Sequence, residues 1–292
     1  MLTTLLPNRR LIRVGGPDAE HLLQNIVTAD LDQLAAGEAK PGALLTPQGK
    51  ILFDFLISRD GADALRLDVR ADVADDLVRR LMLYRLRAKA EISKQDESLV
   101  AAGWEIDSGD SQSDSTASSI ESGWLRDLRF PAMNVWRGYG MPVEETASFA
   151  AYDAVRIANG VAESGRDYDL GDAFPHDVLL DQNGGVGFRK GCYVGQEVVS
   201  RMQHRGTARR RVLIVEADAA LPPTRTELTA NGRAIGSLGT VDGHDGLAIV
   251  RIDRVKDAVD AGTPVLAGDA PVLFTIPPGA TFIFPADSSE DA

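Results

Sequence analysis

Short apolar runs separated by turn residues dominate the N-terminal part of the chain. Apolar and polar positions alternate over residues 10–14 and 65–69, which predicts two half-buried strands. Residues 43–58 carry two apolar runs on either side of a Thr-Pro-Gln-Gly sequence at residues 46–49, and this pattern is typical of a β-hairpin. A further strand is predicted over residues 88–92.

Apolar residues at helical spacing predict three helices between these strands. One begins after the Gly-Gly-Pro-Asp sequence at residues 15–18 and places Leu22 and Ile26 on one face. A second covers residues 72–85, and a third covers residues 147–159 and ends where an Asn-Gly pair suits a left-handed C-cap. Paired strands joined by helices indicate an α+β fold, with helices on mainly antiparallel sheets.

The pattern changes twice further along the chain. Residues 107–123 are rich in serine and hold almost nothing to bury, so we predict a surface loop. From about residue 212 onward, short strands and closely spaced turns predict a small β-barrel without a helix of any length. We therefore expect one region over residues 1–205, built from two interleaved α+β subdomains, and a barrel domain over residues 206–292.

Composition limits the class of protein. The 292 residues are 44% hydrophobic and 25% charged, which is ordinary for a soluble globular chain of two domains. No apolar run approaches the roughly 20 residues of a membrane helix, so no membrane association is expected. Residues 1–13 lack the apolar stretch of a secretory signal, and we expect a cytoplasmic location.

The charge distribution singles out one segment. The chain carries 31 basic and 43 acidic residues, a net charge of −12, which argues against direct nucleic-acid binding. Residues 189–211 run against this average, with seven basic residues and only one acid, Glu197. A solvated basic linker is the ordinary interpretation of such a segment, and a site for an anion is the alternative.

The single cysteine of the chain lies in this basic segment. Cys192 follows Arg189 and Lys190 closely, and positive neighbours stabilise the reactive thiolate form of a cysteine. A small buried hydrophobic role is the other interpretation of a lone cysteine. Gly195 then precedes a predicted helix, whose free backbone N–H groups favour an anion.

The residues Lys-Gly-Cys-Tyr-Val-Gly-Gln-Glu at positions 190–197 resemble the signature of the YgfZ family of folate-binding proteins, without a mismatch. Residues 49–54 resemble the family's first hairpin, and residues 84–92 its end-of-helix and strand segment. The Asp-Leu-Arg sequence at residues 127–129 is similar to the family's Asp-Pro-Arg. The resemblance extends over almost the whole chain outside the serine-rich segment.

The resemblance implies a fold like that of the glycine-cleavage T-protein, an aminomethyltransferase, with a central folate cavity and a C-terminal β-barrel. It also implies a role in assembly or repair of [4Fe-4S] proteins, with an indirect effect on tRNA modification, and iron–sulfur client or carrier proteins as partners. The expected cofactor is tetrahydrofolate, whose polyglutamate tail suits the basic segment. We assign Lys190 and Cys192 to the chemistry. The residues assigned to folate binding are Asp54, Tyr193, Gly195, Arg189, Arg209 and Arg210.

Two rival functions stay open at this point. One is a folate-dependent aminomethyl or one-carbon transferase, although the chain has Phe53-Asp54 where the T-protein has two aspartates, and it lacks that family's Gly-Tyr-Thr-Gly-Glu stretch. The other is a non-catalytic scaffold that senses folate. Cys192 has three possible roles: a ligand to a cluster shared with a partner, a redox thiol, or a packing residue at the cavity floor. One thiolate cannot hold a four-iron cluster, and the four histidines lack metal-ligand spacing, so no resident metal is expected.

Overall fold

A computed structural model describes residues 1–95, 99–105 and 123–285. The predicted serine-rich loop lies outside these residues except for Gly123. The strands are β1 (Leu2–Leu5), β2 (Arg9–Gly15), β3 (Glu38–Leu45), β4 (Ile51–Arg59), β5 (Ala64–Arg70), β6 (Glu91–Gln95), β7 (Val100–Trp104), β8 (Trp124–Asp127), β9 (Val135–Tyr139), β10 (Arg210–Glu216), β11 (Glu227–Ala230), β12 (Arg233–Asp242), β13 (Asp245–Arg251), β14 (Val265–Ala267) and β15 (Ala270–Thr275). The helices are α1 (Ala19–Gln24), α2 (Ala74–Arg85), α3 (Phe149–Ala158), α4 (Gln196–Arg205) and α5 (Ile252–Asp260).

The N-terminal region is built on one nine-stranded sheet in the order β1-β7-β9-β8-β3-β4-β5-β2-β6. Every neighbouring pair is antiparallel except β3 and β8, which run parallel and join the two halves of the sheet. The prediction of an α+β fold with mainly antiparallel sheets is confirmed. None of the helices in the described ranges is long and apolar enough to cross a membrane.

Strand β4 separates two environments because successive side chains of a strand point to opposite faces. Phe53, Phe55 and Ile57 pack into the hydrophobic core that α1 and α2 cover. Asp54 and Leu56 point to the other face, where they line a cavity. The predicted hairpin of β3 and β4 is therefore confirmed, and it forms the floor of this cavity.

The predicted strand over residues 88–92 begins later than expected, at Glu91. The residues before it form a turn in which the Ala88 amide donates to the Arg85 carbonyl at 2.7 Å. The Lys89 amide then donates to the Asp18 carboxylate at 2.7 Å. These bonds hold the chain off the sheet until β6 pairs with β2.

The C-terminal strands form a closed six-stranded barrel in the order β10-β13-β12-β11-β14-β15, as the sequence predicts. Its interior is filled by a continuous apolar cluster that includes Leu213, Leu228 and Val250. The expectation of no helix here is wrong, since α5 follows β13 directly. Ile252, Val255 and Ala258 are its buried residues, and their spacing is helical, but Ile252 also continues the apolar run of β13.

Candidate functional site

The cavity lies between the β3–β4 hairpin, the loop after α3, residues 178–183 and residues 277–280. Its enclosed volume is small, about 50 Å³, and it opens through a wide mouth to the surface, so a ligand larger than a few atoms would also occupy the mouth. Its walls are largely apolar and contain a few placed polar groups. The lining includes Arg9, Asp54, Leu56, Arg129, Val161 and Tyr168.

Asp54 supplies the carboxylate on the cavity floor. The Ser164 hydroxyl donates to its Oδ1 at 2.5 Å, which fixes the orientation of the carboxylate. Tyr168 also lies in the lining, and burial together with the negative charge of Asp54 raises the pKa of Tyr168 well above its usual value. Its phenol therefore stays protonated and is available as a donor beside the carboxylate.

Two guanidinium groups supply positive charge to the same cavity. Arg9 is 3% exposed, and its Nε donates to Asp68 Oδ1 at 2.6 Å. Arg129 donates from its Nη2 atom to the Asp127 carboxylate at 2.7 Å. Both side chains belong to the cavity lining, although Nε and Nη2 of Arg9 are bound to Asp68 and those of Arg129 to Asp127.

Glu163 balances this charge from behind the cavity wall. It is 3% exposed and lies 3.7 Å from Arg129 and 3.9 Å from Arg156. Burial alone would raise the pKa of Glu163, but Arg156, Arg9 and Arg129 overcome this effect and lower it well below the ordinary value. The carboxylate is therefore ionised at neutral pH, and the network keeps its charges.

Residues 277–280, which follow the last barrel strand, form a strap along one side of the cavity lining. A Cβ atom added at Gly160 would lie 2.3 Å from Pro277, and one added at Gly279 would lie 2.5 Å from Pro131. Both glycines have positive φ, so the strap meets the cavity wall where side chains are excluded. Beyond the strap, Thr281 donates from its backbone amide to the Gln182 side chain at 3.0 Å.

The signature segment at residues 190–197 is anchored beside this cavity. The Lys190 ammonium donates to the backbone carbonyls of Val27 at 2.8 Å and Ala29 at 2.7 Å. It also lies 5.3 Å from the centre of the Tyr193 ring. Burial lowers the pKa of Lys190 to about 8 and raises that of Tyr193 to about 12. Lys190 thus fastens the signature to the loop before β3.

Gly195 seats the signature against the tip of the β3–β4 hairpin. It has a φ of 80° and precedes α4, whose predicted start is confirmed. A Cβ atom at Gly195 would lie 2.5 Å from the Thr46 carbonyl, and one at Gly49 would lie 2.9 Å from Val198. The two backbones approach this closely only because both positions are glycine.

The structure brings only one predicted folate-binding residue into the cavity lining, Asp54. Arg189, Cys192 and Arg209 are exposed. Arg210 is directed to Asp172, to which it donates at 3.1 Å. Cys192 is thus a surface thiol of the signature segment, and the position at the cavity floor is taken by Asp54 and Leu56 instead.

Sequence reasoning missed Arg9 and Tyr168 as cavity residues. The partner of Arg9 is Asp68, a residue of a different strand, and only the pairing of β2 with β5 brings the two together. For Arg129 the sequence did contain a signal, because the Asp-Leu-Arg sequence at residues 127–129 is similar to the family's Asp-Pro-Arg. Within the described ranges, His, Cys, Asp and Glu side chains form no cluster that could hold a metal ion.

Comparison with known proteins first defines the class. Residues 209–282 match the family model described as CAF17, C-terminal beta-barrel domain. The structure resembles glycine cleavage system aminomethyltransferase T from Bartonella henselae, with a TM-score of 0.71, 18% identity and coverage of 95% of this chain and 85% of that chain. The chain therefore has an aminomethyltransferase-like fold with a C-terminal β-barrel, as the resemblance implied.

Curated relatives then identify the family. The chain is 32% identical to "Iron-sulfur cluster assembly factor IBA57 homolog, mitochondrial" of Pyricularia oryzae, over 90% of this chain and 75% of that protein. It is 31% identical to the human mitochondrial IBA57, over 86% of this chain and 78% of that protein. The mouse protein is 30% identical, with the same coverage. The chain belongs to the IBA57 family of iron–sulfur cluster assembly factors.

These relatives correct the expected location. Each is named as mitochondrial, which overturns the expectation of a cytoplasmic protein. The expectation rested on the lack of an apolar secretory signal, and that criterion tests for secretion but not for import into an organelle.

Proposed function

We propose that this chain is a tetrahydrofolate-binding protein that acts in the assembly or repair of [4Fe-4S] proteins, with an indirect effect on tRNA modification. The iron–sulfur role is supported by the family, whose members are named as assembly factors. The folate role is supported by one observation above all: the cavity over the β3–β4 hairpin combines an apolar lining with Asp54, Arg9 and Arg129. The intact signature at residues 190–197 adds the resemblance to the YgfZ family.

The residues of the cavity fit the chemistry of a reduced folate. The pterin ring presents N–H donors along one edge, and the Asp54 carboxylate, already oriented by Ser164, is an acceptor for them. Leu56 and Val161 offer apolar surface to flat rings, while Arg9 and Arg129 suit the carboxylates of the glutamate tail. When bound, a tetrahydrofolate would supply one-carbon carriage and reducing chemistry.

The exposed thiol of Cys192 supports the partner-dependent part of the proposal. An exposed sulfur can be shared with a second protein, whereas a buried one cannot. The chain holds one cysteine, so further ligands of any four-iron cluster would come from the partner. Lys190 and Tyr193 fix the loop that presents this thiol.

The folate proposal is tested by titrating tetrahydrofolate into the purified chain. We expect saturable binding that Asp54→Asn weakens by about 10- to 100-fold, the range for losing a charge-assisted hydrogen bond. Asp242→Asn, at an exposed position of β12, is the matched control and should bind like the wild type. Absence of binding by the wild type would refute the folate role, and equal affinity of both variants would refute the role of Asp54 in it.

The iron–sulfur role is tested in a strain that lacks the gene for this chain. We expect the wild type to restore the activity of [4Fe-4S] enzymes, and Cys192→Ser to fail although it still binds folate and keeps its melting temperature. Failure of the wild type to restore activity would remove the iron–sulfur role. Full activity of Cys192→Ser would remove the thiol from it.

One observation favours aminomethyl transfer as a second candidate. The chain has phenylalanine at the first position of the T-protein's aspartate pair, but Phe53 points into the helix-side core, whereas Asp54 points into the cavity. The substitution at residue 53 therefore removes no charge from the cavity. Formation of methylene-tetrahydrofolate from tetrahydrofolate and an aminomethyl donor would establish this reaction.

A further inference from the structure

The C-terminal end of α2 carries a group of exposed apolar side chains. Leu86 is 85% exposed, Leu83 is 68% exposed and Met82 is 42% exposed. They lie within five residues of one another, in the last turn of the helix and in the residue that follows it. Contiguous exposed apolar side chains of this kind on a soluble domain mark an interaction surface more often than single ones do.

Basic residues surround these apolar side chains. Residues 79–89 contain five arginines and lysines and no acid, in a chain whose net charge is −12. Arg80, Arg87 and Lys89 are exposed, and within the described part of the chain their side chains form no ion pair. We call Met82, Leu83, Leu86 and these three basic residues the α2 patch.

The backbone holds the α2 patch in a fixed shape. Leu86 has a φ of 44°, a value that residues with a side chain rarely adopt. It is kept there by the bond from the Ala88 amide to the Arg85 carbonyl and by the bond from the Lys89 amide to Asp18. A backbone held in place at an exposed leucine reduces the conformational entropy that binding must remove, which suits a docking residue.

We propose that the α2 patch docks a partner protein whose contact surface is apolar at its centre and acidic at its rim. The inference rests on the proposed function only in that this partner is a protein that delivers or receives an iron–sulfur cluster. Charge complementarity selects the occupant, because a basic rim attracts acids and steers their approach. A second copy of the chain would present the same positive patch, and two such patches repel each other.

A membrane surface fits the same charge less well. An anionic bilayer is an extended negative surface, so binding to it brings a large part of this net-negative molecule close to negative charge, and the two repel each other. A protein partner needs to match only the patch itself. Three apolar side chains also give a bilayer little area to bury.

The test begins with a photo-crosslinking amino acid placed at Met82 of the full chain and, as a control, at Leu273, which is 73% exposed on β15. We expect protein adducts in cells at position 82 but not at position 273, with aspartate and glutamate around the linked site. The crosslinked protein is then purified. Arg80→Glu with Arg87→Glu should weaken its binding by at least about tenfold, and substituting lysine for acids at its linked site should restore it.

Matched variants separate the patch from overall charge and hydrophobicity. Arg233→Glu with Arg254→Glu changes the net charge equally at exposed sites on the barrel, and it should leave the affinity unchanged. Leu83→Ser with Leu86→Ser should weaken binding, and Leu273→Ser with Val259→Ser should not. Thermal melting checks that each variant is folded.

Four results would overturn the proposal: no adduct at position 82, lipid adducts only, adducts with a second copy of the chain, or equal loss of affinity in patch and barrel variants. Tetrahydrofolate binding is measured in parallel and should be the same in all variants. If the wild type does not bind tetrahydrofolate, the proposed folate role is wrong, but the proposal for the α2 patch is unaffected. If the wild type binds tetrahydrofolate but no partner crosslinks at position 82, the α2 patch proposal is wrong and the folate role stands.

Discussion

At the scale of single residues, Lys190 and Cys192 of the signature segment lie in opposite environments. Lys190 points inward and binds two backbone carbonyls, whereas Cys192 two residues later is exposed. The sequence indicates that both matter, because they occur in one motif. It does not show which of them faces solvent, since that depends on where residues 27–29 lie in the fold. The catalytic role assigned to Lys190 stays a prediction.

Lys190 also makes the stability of the protein depend on pH. Burial lowers its pKa from the ordinary 10.5 to about 8, so between these two values the unfolded chain holds more protons at this position than the folded chain. The free energy of unfolding contributed by residue 190 therefore rises as the pH increases from about 8 to 10.5. In urea titrations, we expect the free energy of unfolding of the wild type minus that of Lys190→Met to increase across this window. A difference that stays flat or falls would contradict the prediction.

Asp54 illustrates how far residue-level prediction reaches. The resemblance marks it as a folate-binding candidate, and the alternation of β4 directs it into the cavity. Arg9 had no comparable signal because its burial depends on Asp68, which lies 59 residues away in the chain. The resemblance thus marked the carboxylate of the cavity, and only the assembled sheet shows the cation.

At the scale of elements, the sequence predicts strands and helices that have a strong local pattern. It does not predict those whose order depends on pairing with a distant segment. The β3–β4 hairpin has its own turn and two apolar runs, so its existence follows from the sequence. Strand β1 covers only Leu2–Leu5 and gains its order from pairing with β7, about a hundred residues later. Helix α5 was missed because its first residue also completes a strand pattern.

The contact between α4 and the hairpin predicts the effect of a single methyl group. Gly195→Ala combines positive φ with a 2.5 Å contact to the Thr46 carbonyl, and we expect it to lower the free energy of unfolding by about 2–4 kcal/mol. Gly206→Ala shares the positive φ but has open space, so about 1 kcal/mol is expected. Gly191→Ala has neither feature and should be nearly neutral. Urea denaturation ranks the three variants, and equal values for Gly195→Ala and Gly191→Ala would be inconsistent with this contact.

At the scale of the whole molecule, buried polar contacts join the nine-stranded sheet region to the barrel. The Asp167 carboxylate accepts the Thr240 amide at 2.6 Å and the Thr240 hydroxyl at 2.7 Å, both from β12. The Arg156 guanidinium donates to Asp167 at 3.1 Å and to Thr240 at 3.1 Å. The two regions therefore share one buried charge network, which their sequences do not reveal because its members are spread over 84 residues.

Removing the acid from this network should weaken both regions together. Asp167→Ala leaves the fully buried Arg156 with one partner fewer, and we expect a loss of about 3–5 kcal/mol in the free energy of unfolding. We expect the wild type to unfold in a single calorimetric transition, and Asp167→Ala to move this transition to lower temperature or to split it in two. Asp245→Ala, at an exposed position of the barrel, is the control. An unshifted transition in Asp167→Ala would mean that the network does not couple the regions.

The strap at residues 277–280 has a consequence for biosynthesis. Because a ribosome makes the chain from its N-terminus, the cavity floor at residue 54 emerges long before the strap that completes the lining. A nascent chain therefore carries an unfinished cavity until the barrel has left the exit tunnel. A ligand that needs contacts on both sides of the cavity can bind only after the last residues of the barrel domain have been made.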